Sequence, residues 1–364
     1  MVESSSFRFE LLEDAPILLQ GEVLPRTDAN SPVHSHDGRV FAFMSHYAPL
    51  GHTYRRTGES IGRLIGPLER VRLLGNPDPT VGKWIESTWR APSGRLYGWY
   101  HAEEMFCTRR LFIPHIGALV SDDDGASWHF LGEVMRAPSD SMDCNYRNGF
   151  LAGGYGDCCV IPDSALTYLY IYFSSYVRDE SAQGVAVARY KIVDCDRPSG
   201  RVEMWRQGAW QSGADIVPTP IFPAIRGWKH FDPDSFWGPA VHFNRDIDAY
   251  VMLLNHTQNG RSNIVQEGIY ISFNRRLNDP NGWTCPVCMV KGGVWYPEAI
   301  GMGRDEGDTL TGSSSRFFMS GFSAWSLQFH PMTAGAPVSQ PIFIGLDDWV
   351  RLFGPATPLR LGIG

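Results

Sequence analysis

The feature that most constrains the fold of this 364-residue chain is a hairpin pattern that occurs five times. Each copy has a polar or aromatic start, an apolar stretch, a Gly/Asp/Pro turn and a second strand that ends near Ser, His or Asn. The copies are "SPVHSHDGRVFAFMSH" from Ser31, "WIESTWRAPSGRLYGWYH" from Trp84, "GDCCVIPDSALTYLYIYFSSY" from Gly156, "WGPAVHFNRDIDAYVMLLNH" from Trp237 and "YPEAIGMGRDEGDTLTGSSSRFFMSG" from Tyr296. Alternating apolar residues around turn signals indicate paired β-strands.

Most copies are followed by a third strand that begins near a glycine, and several by a fourth. The predicted third strands are "SIGRLIG", "HIGALVS", "GVAVARY", "GIYISFN" and, as the weakest, "SLQFHPM". Four-stranded units that cannot bury their faces alone must stack on one another, and radial stacking gives a β-propeller. The prediction is an all-β chain forming one five-bladed propeller domain of four-stranded antiparallel blades, with approximate blades 28–78, 82–136, 154–215, 232–292 and 295–345. A β-sandwich or a propeller with another blade number remains the alternative.

Composition excludes several classes of function. The 38 Gly and 25 Pro interrupt helices, and the 12 Trp and 14 Tyr suit strands, so the all-β prediction is favoured.

A net charge of -7 without a basic run gives no footprint for nucleic acid. No apolar run suits a membrane span, and the first residues lack a signal-peptide pattern. We therefore expect neither nucleic acid nor a membrane as partner, with a cytoplasmic location as the sequence stands and a periplasmic or secreted one if a leader has been removed. The sequence gives no oligomeric state.

The seven cysteines form no regular framework. An odd number without repeated spacing argues against a disulfide scaffold. The "CPVC" pair, Cys285 and Cys288, has the spacing of a zinc or redox motif but lacks a second ligand pair, so we interpret these residues as incidental thiols. No cofactor and no metal are expected.

"SDDDGASW", Ser121 to Trp128, follows the predicted third strand of the second unit. It resembles the Asp box of sialidase-like propellers, a structural hairpin between the third and fourth strands of a blade. In such a turn Asp123 accepts amide hydrogens, Gly125 adopts a left-handed backbone and Trp128 fills the apolar edge. The resemblance supports the propeller and assigns these residues no catalytic role.

In a propeller, the starts of the first strands and the ends of the second strands meet at one mouth of the central channel. This explains why Trp84, Glu86, His101 and Glu103 stand at both ends of one hairpin, because antiparallel pairing brings those ends together. Carboxylates beside aromatics and histidines suit carbohydrate chemistry, in which two carboxyl groups flank the glycosidic bond and aromatic faces stack on sugars. The predicted catalytic residues are Asp28, Glu86, Asp157 and His101. The predicted substrate-binding residues are His46, Trp84, Glu103, Arg147, Tyr176, Trp237, His256, Tyr296 and Glu298.

With these residues, the sequence resembles the five-bladed propeller glycoside hydrolases, a group that includes arabinanases, xylosidases and invertases. Those enzymes use a base Asp on the first blade, an orienting Asp on the second and an acid Glu on the third. Asp28 matches the first position, whereas Glu86 replaces the Asp of the second and Asp157 replaces the Glu of the third. Glu267 is a further candidate acid. The resemblance implies a glycoside hydrolase acting on an oligo- or polysaccharide, and we expect an inverting mechanism.

Two other functions fit the sequence. A polysaccharide lyase would use His46, His101, Tyr100 or Tyr176 to remove a proton beside a uronate carboxyl, with Arg147 of "NYRNG" neutralising that group. A non-catalytic sugar-binding propeller would keep the stacking aromatics without a competent acid and base. "HSHDG", from His34, resembles a metal cluster but occupies a predicted hairpin turn, so we interpret it as an exposed turn.

Overall fold

The computed structural model describes residues 7–21, 27–46, 51–107, 111–213, 215–258, 265–313, 315–331 and 340–344. Within these ranges the chain forms twenty-five β-strands and four short 3-10 helices, at Ser139–Ser141, Glu180–Ala182, Ile192–Asp194 and Pro280–Gly282. None of these helices has the length or hydropathy needed to cross a membrane. The all-β prediction is therefore confirmed, and the strands form five sheets.

The first two sheets follow each other along the chain. Strand β1 (Phe7–Leu18) precedes them and belongs to the last sheet. The first sheet has the spatial order β2 (Val33–His36), β3 (Arg39–His46), β4 (His52–Gly58) and β5 (Glu69–Arg70). The second sheet has the spatial order β6 (Arg72–Leu74), β10 (Ser127–Met135), β9 (Phe112–Ser121), β8 (Leu96–Met105) and β7 (Gly82–Arg90). The short β6 lies at the outer edge and runs parallel to β10.

The third sheet is extended by an additional hairpin. It contains β11 (Tyr155–Pro162), β12 (Tyr168–Ser175), β13 (Gly184–Lys191), β14 (Glu203–Arg206) and β15 (Ala209–Ser212), and β16 (Phe222–Pro223) pairs with β13. The core of the fourth sheet is β17 (Ser235–Asn244), β18 (Ala249–Thr257), β19 (Gln266–Asn274) and β20 (Val287–Gly292).

The fifth sheet combines the first strand of the chain, β1, with three strands from its last part. These three strands are β21 (Pro297–Gly301), β23 (Ser315–Met319) and β24 (Phe322–Pro331). The short β22 (Leu310–Thr311), between β21 and β23 in the sequence, pairs with β17 of the fourth sheet. The last strand, β25 (Ile342–Ile344), lies beside β20. The outer strand of the fifth sheet is β1, which runs antiparallel to β24 from Arg8 opposite His330 to Leu18 opposite Phe322. Residues 7–18 were not predicted to belong to this unit, because strand pairing over such a separation leaves no local signal in the sequence.

Apolar side chains pack between successive sheets and close them into a ring. Each of five buried apolar clusters contains large side chains from two neighbouring sheets: Phe43 and Trp128, Trp99 and Phe173, Tyr172 and Met252, Phe273 and Phe317, and, for the fifth sheet and the first, Phe318 and Met44. Burying one such side chain contributes about 1.5–3 kcal/mol, so these contacts stabilise the ring. The result is a propeller-like arrangement.

One predicted strand is wrong. "SIGRLIG", residues 60–66, folds as a turn in which Ser60 bridges to Arg63, and the third strand of the first sheet is β4. The Gly66 N–H donates to the Thr57 carbonyl, which turns the chain back onto the end of β4. Residues 332–339, in the predicted fifth unit, lie outside the described residues.

The turn between β9 and β10 has a dense hydrogen-bond network. The Asp123 carboxylate accepts hydrogen bonds from the Ser127 N–H at 2.8 Å and from the Ser121 and Ser127 hydroxyls. Gly125 has φ of 78° and Trp128 is fully buried against Phe43. These contacts hold the turn in the way that the sequence pattern predicts for Asp123, Gly125 and Trp128.

A disulfide joins two loops next to the second sheet. Cys107 after β8 bonds to Cys144, which lies in the connection between β10 and β11. This bond was not predicted, because the spacing of cysteines in the sequence does not show which thiols approach each other. Cys285 is exposed and Cys288 half-buried, and both are free thiols.

Candidate active site

The site centres on a buried ion pair between Glu86 and His101. Glu86 lies on β7 at a β-bulge between Ile85 and Ser87, and such a bulge turns one side chain away from the regular alternation. Its Oε1 lies 2.8 Å from His101 Nδ1, and its Oε2 accepts the Cys158 N–H of the third sheet at 2.6 Å. A carboxylate of the second sheet is thereby fixed against the inner strand of the third.

His101 is held as an imidazolium cation. Burial opposes its charged form, but the carboxylates of Glu86 and Glu103 raise the pKa of His101 well above its ordinary value. Glu103 Oε1 lies 3.7 Å from His101 Nε2. Trp84 stacks on the imidazole with ring centroids 4.9 Å apart and planes 11° apart, a geometry suited to cation–π attraction. The site therefore contains one fixed positive charge among several carboxyl groups.

Asp157 projects toward the same group from the third sheet. It lies at a second bulge, between Gly156 and Cys158, with φ of 42°, which is unusual for a residue other than glycine. Its carboxylate accepts hydrogen bonds from the Tyr176 hydroxyl and, at 3.4 Å, from that of Tyr296. Burial and then repulsion from Glu86 raise the pKa of Asp157 to about 6, while His101 and Tyr176 act in the opposite direction.

Asp28 reaches the group from the segment before β2. Its N–H donates to the Ser45 carbonyl at 2.8 Å. Burial and then the Glu103 carboxylate raise the pKa of Asp28 to about 8, although the His101 cation lowers it, and Asp157 and Glu86 add to the rise. These electrostatic interactions place Asp28, Glu86, His101, Glu103 and Asp157 in one group, which we call the mouth cluster.

An aromatic wall stands beside Asp157. Trp237 contacts Trp295 and Tyr296 edge to face, with ring centroids 5.6 and 5.8 Å apart. Trp228 contacts Trp237 and also Tyr176, at 6.5 and 4.9 Å. Trp228 was not among the predicted site residues, because it lies in the long connection before β17 and no strand pattern marks it.

His256 belongs to a second group, which we call the fourth-sheet cluster. His256 Nε2 lies 3.3 Å from an Asp234 oxygen, and Nδ1 lies 3.0 Å from Glu267 Oε2. Glu267 also accepts the Tyr270 hydroxyl at 2.9 Å, and the Gln258 amide donates to Asp234. This cluster therefore occupies both His256 and the further candidate acid, Glu267.

Three predicted binding residues make their described contacts elsewhere. His46 is buried against the rings of His52 and Tyr54. Glu298 is buried, and its two carboxylate oxygens accept the Ser31 N–H, each at 3.0 Å from the Ser31 nitrogen. Arg147 is exposed, and its N–H donates to the Lys229 carbonyl.

Tyr100 also points away from the mouth cluster. Its side chain lies on the face of β8 opposite to that of His101, in an apolar cluster with Leu119 and Trp128. There it contacts the Phe130 ring edge to face. This placement follows from the alternation of side chains along a strand.

Glu86, His101 and Asp157 each offer a ligand atom, and these atoms lie within 4.8 Å of one another. Such spacing is compatible with a cation. The same carboxylates already accept hydrogen bonds from Cys158, Tyr176 and Tyr296, and His101 supplies a positive charge beside them.

Comparisons with known proteins support the fold. No protein-family model matches the chain, and no curated protein matches its sequence. Among solved structures, Zg3597, a family 117 glycoside hydrolase from the marine bacterium Zobellia galactanivorans, has a TM-score of 0.50 at 12% identity, covering 88% of this chain and 90% of that chain.

Two further matches have lower scores. The catalytic domain of the Coprinopsis cinerea GH62 α-L-arabinofuranosidase has a TM-score of 0.48 at 14% identity, covering 88% of this chain and 96% of that one. Native Bacillus subtilis arabinanase Arb43A has a TM-score of 0.47 at 11% identity, covering 86% and 99%. At such identities a match indicates a shared fold and leaves the function to be argued from the site, and we base the fold on the match at 0.50.

Proposed function

We propose that this chain is a glycoside hydrolase that cleaves a neutral oligo- or polysaccharide with inversion at the anomeric carbon. The observation that carries the proposal is the mouth cluster, in which carboxyl groups from the second sheet, the third sheet and the segment before β2 meet a histidine cation beside an aromatic wall. Glycoside hydrolysis requires a proton donor and a proton acceptor at one bond, and aromatic faces bind sugar rings.

The acid and base roles follow from the protonation states. Asp157, with its pKa raised only to about 6 and with two tyrosine hydroxyls donating to it, is ionised at neutral pH and suits the base. Asp28, with its pKa raised to about 8, is largely protonated there and suits the acid. This assignment reverses the roles that the family resemblance implies for the first and third units.

The reaction then proceeds by one displacement. Asp157 takes a proton from water while the water oxygen attacks the anomeric carbon, and Asp28 gives its proton to the glycosidic oxygen as that bond breaks. Glu86 holds His101 in place, and the His101 cation limits the negative charge that Asp28 and Asp157 experience. Trp84, Tyr176, Trp237 and Tyr296 would then bind the sugar.

The electrostatics favour a neutral sugar over a uronate. An anionic substrate would meet the carboxyl groups of Asp28, Glu86, Glu103 and Asp157 with only the His101 cation to offset them. The lyase alternative needs a group such as Arg147 to neutralise the uronate, and Arg147 lies exposed on a loop. We therefore place hydrolysis of a neutral glycan first.

The proposal extends to the architecture. We propose that the five sheets are the blades of one five-bladed propeller domain and that Ser121–Trp128 serves as a structural Asp box. The core contacts between each sheet and the next support this reading, as does the closure of the fifth sheet by β1.

An assay on a panel of glycans tests the function. Neutral oligosaccharides and polysaccharides are expected to yield new reducing ends, and proton NMR at early times should show the inverted anomer. Uronate-containing glycans should yield no unsaturated product absorbing in the ultraviolet. Release of that product would instead establish the lyase, and binding without turnover would establish a sugar-binding propeller.

A pair of variants on one hairpin ties the activity to the site. Asp157→Asn should lower kcat by about 10²–10⁴-fold, the range expected for loss of a general base. Asp163→Asn is the matched control, because Asp163 caps the turn at the far end of the same hairpin, where it accepts the Thr167 N–H. Equal activities for the two variants would rule out Asp157 as the base.

A further inference from the structure

The segment Asp28–Ser31 forms hydrogen bonds with strands of several sheets. The Asp28 N–H donates to the Ser45 carbonyl within the first sheet, and the Ser31 N–H donates to the Glu298 carboxyl group of the fifth. Asn30, between them, is 4% exposed. A segment with contacts to so many elements can transmit their positions to the Asp28 carboxyl group.

Asn30 provides the contacts to the third and fourth sheets. Its side-chain amide nitrogen donates to the Cys158 carbonyl at 3.4 Å and to the Pro239 carbonyl at 3.2 Å. These carbonyls belong to β11 and β17, which are strands of different sheets. One buried side chain thus joins the segment carrying Asp28 to two other parts of the ring.

Cys158 connects this amide to the other carboxylates of the site. Its N–H donates to Glu86 at 2.6 Å, its carbonyl accepts from Asn30, and it directly follows Asp157. The two backbone polar groups of one residue therefore relate the positions of Asp28, Glu86 and Asp157. Acid–base catalysis depends on such placement, because a misplacement of about 1 Å can cost about 10²-fold in rate.

We infer that Asn30 is a positioning residue that sets the distance of the Asp28 carboxyl group from Asp157 and Glu86 through its bonds to Cys158 and Pro239. The inference rests on the proposed function for its effect on turnover, whereas its effect on Asp28 itself does not require activity. Asn30 does not reach the substrate in this role and acts only through Asp28.

The test replaces Asn30 by serine, which is neutral and too short to reach both carbonyls. Asn30→Ser should lower kcat by about 10- to 100-fold with KM changed less than about 3-fold. Burial is the largest cause of the raised pKa of Asp28, so a carboxyl group that is no longer held in place gains hydration and its pKa falls. The alkaline limb of the pH profile should therefore shift to lower pH. A purely structural role would lower stability without moving that limb, and an unchanged limb in a folded variant overturns the inference.

Asn244→Ser is the matched control. The Asn244 amide also donates two bonds, to Thr311 Oγ1 and the Gly312 carbonyl, but it lies at the turn end of β17. This variant should retain the pH profile of the parent protein. If Asn30→Ser does not fold, Asn30→Gln, which keeps the amide but lengthens the side chain, takes its place with the same readouts.

A separate measurement distinguishes failure of this inference from failure of the proposed function. Carboxyl carbon-13 NMR, with Asp28 assigned from the Asp28→Asn variant, follows the titration of that group in the absence of any substrate. Asn30→Ser should lower the midpoint relative to the parent protein. If no glycan is cleaved but the midpoint moves, the positioning role holds and the hydrolase proposal fails, whereas an unchanged midpoint overturns the positioning role.

Discussion

His101 and His256 each lie between two carboxylates on the second strand of a sheet, but their surroundings differ. Glu86, the partner of His101, also accepts the Cys158 N–H of the third sheet. Asp157 and Asp28 interact electrostatically with this ion pair. The partners of His256, Asp234 and Glu267, come from the fourth sheet and its entry. Glu86 is fully buried, whereas the Glu267 side chain is 31% exposed. A histidine between two carboxylates is therefore a local motif, and convergence of several sheets distinguishes the candidate active site.

The largest expected difference between the two clusters is in turnover. Glu86→Gln should lower kcat by about 10²-fold, because His101 loses the charge that fixes it beside the acid and the base. Glu267→Gln, the same change in the fourth-sheet cluster, should alter kcat by less than about 3-fold, since Glu267 has no described bond to the mouth cluster. Steady-state kinetics on one glycan compares them. A comparable loss in both variants would mean that the fourth-sheet cluster takes part in the reaction.

The next difference is in stability. His101→Phe keeps a ring against Trp84 but leaves Glu86 as a buried carboxylate without its cation, which should lower the free energy of unfolding by about 3–5 kcal/mol near neutral pH. His256→Phe should cost less, about 1–2 kcal/mol, because water can reach Glu267 and the buried Asp234 keeps the hydrogen bond from the Gln258 amide. Urea denaturation measures both values. Equal losses would show that burial of the partner carboxylate does not govern the cost.

The pH dependence of the mouth cluster should be bell-shaped. The base must be ionised and the pKa of Asp157 is raised to about 6, so kcat/KM should fall below pH about 6. The acid must be protonated and the pKa of Asp28 is raised to about 8, so kcat/KM should fall above pH about 8. Asp234→Asn, in the fourth-sheet cluster, should leave both limbs in place. A profile whose alkaline limb persists in Asp28→Glu at an unchanged pH would remove Asp28 as the acid.

The smallest of these effects is a gain in stability when the buried carboxyl group of Asp28 is replaced by a neutral amide. Because folding raises the pKa of Asp28, this group favours the folded state at acidic pH, and that contribution is lost as the pH rises toward about 8. Asp28→Asn should therefore raise the free energy of unfolding by about 0.5–2 kcal/mol at pH 9, with less gain at pH 4, while turnover is lost. Asp234→Asn should instead destabilise the protein, because Asp234 accepts the Gln258 amide and faces His256. Thermal unfolding at the two pH values checks the sign.

Much of the fold was accessible from the sequence, because strand alternation and turn residues are local properties. The hairpins of the first four units were predicted near the positions where β2 to β19 lie, and the turn after β9 has the contacts its residues suggest. The third strand of the first sheet was placed a few residues late, because "SIGRLIG" has the composition of a strand but folds back on Gly66. The role of β1 depends on pairing with β24, which no local pattern encodes.

The site was accessible in part for the same reason. Antiparallel pairing alone predicts that Glu86 and His101 meet, since they stand at the two ends of one hairpin, and the structure brings them together. The separation of His256 from the mouth cluster could not be predicted, because its residue types and its place on a second strand match those of His101. The bulges at Glu86 and Asp157, which turn both carboxylates inward, also leave no reliable signal in the sequence.

The strands, the turns and the kinds of side chain at the ends of the hairpins follow from the order of the amino acids. Which of those ends share one electrostatic environment depends on how the sheets come together. The physical reason is that alternation and turn preference act over a few residues, whereas burial and Coulomb interaction depend on distances between sheets. Asp28, Glu86 and Asp157 acquire their chemistry from one another only after the ring has closed.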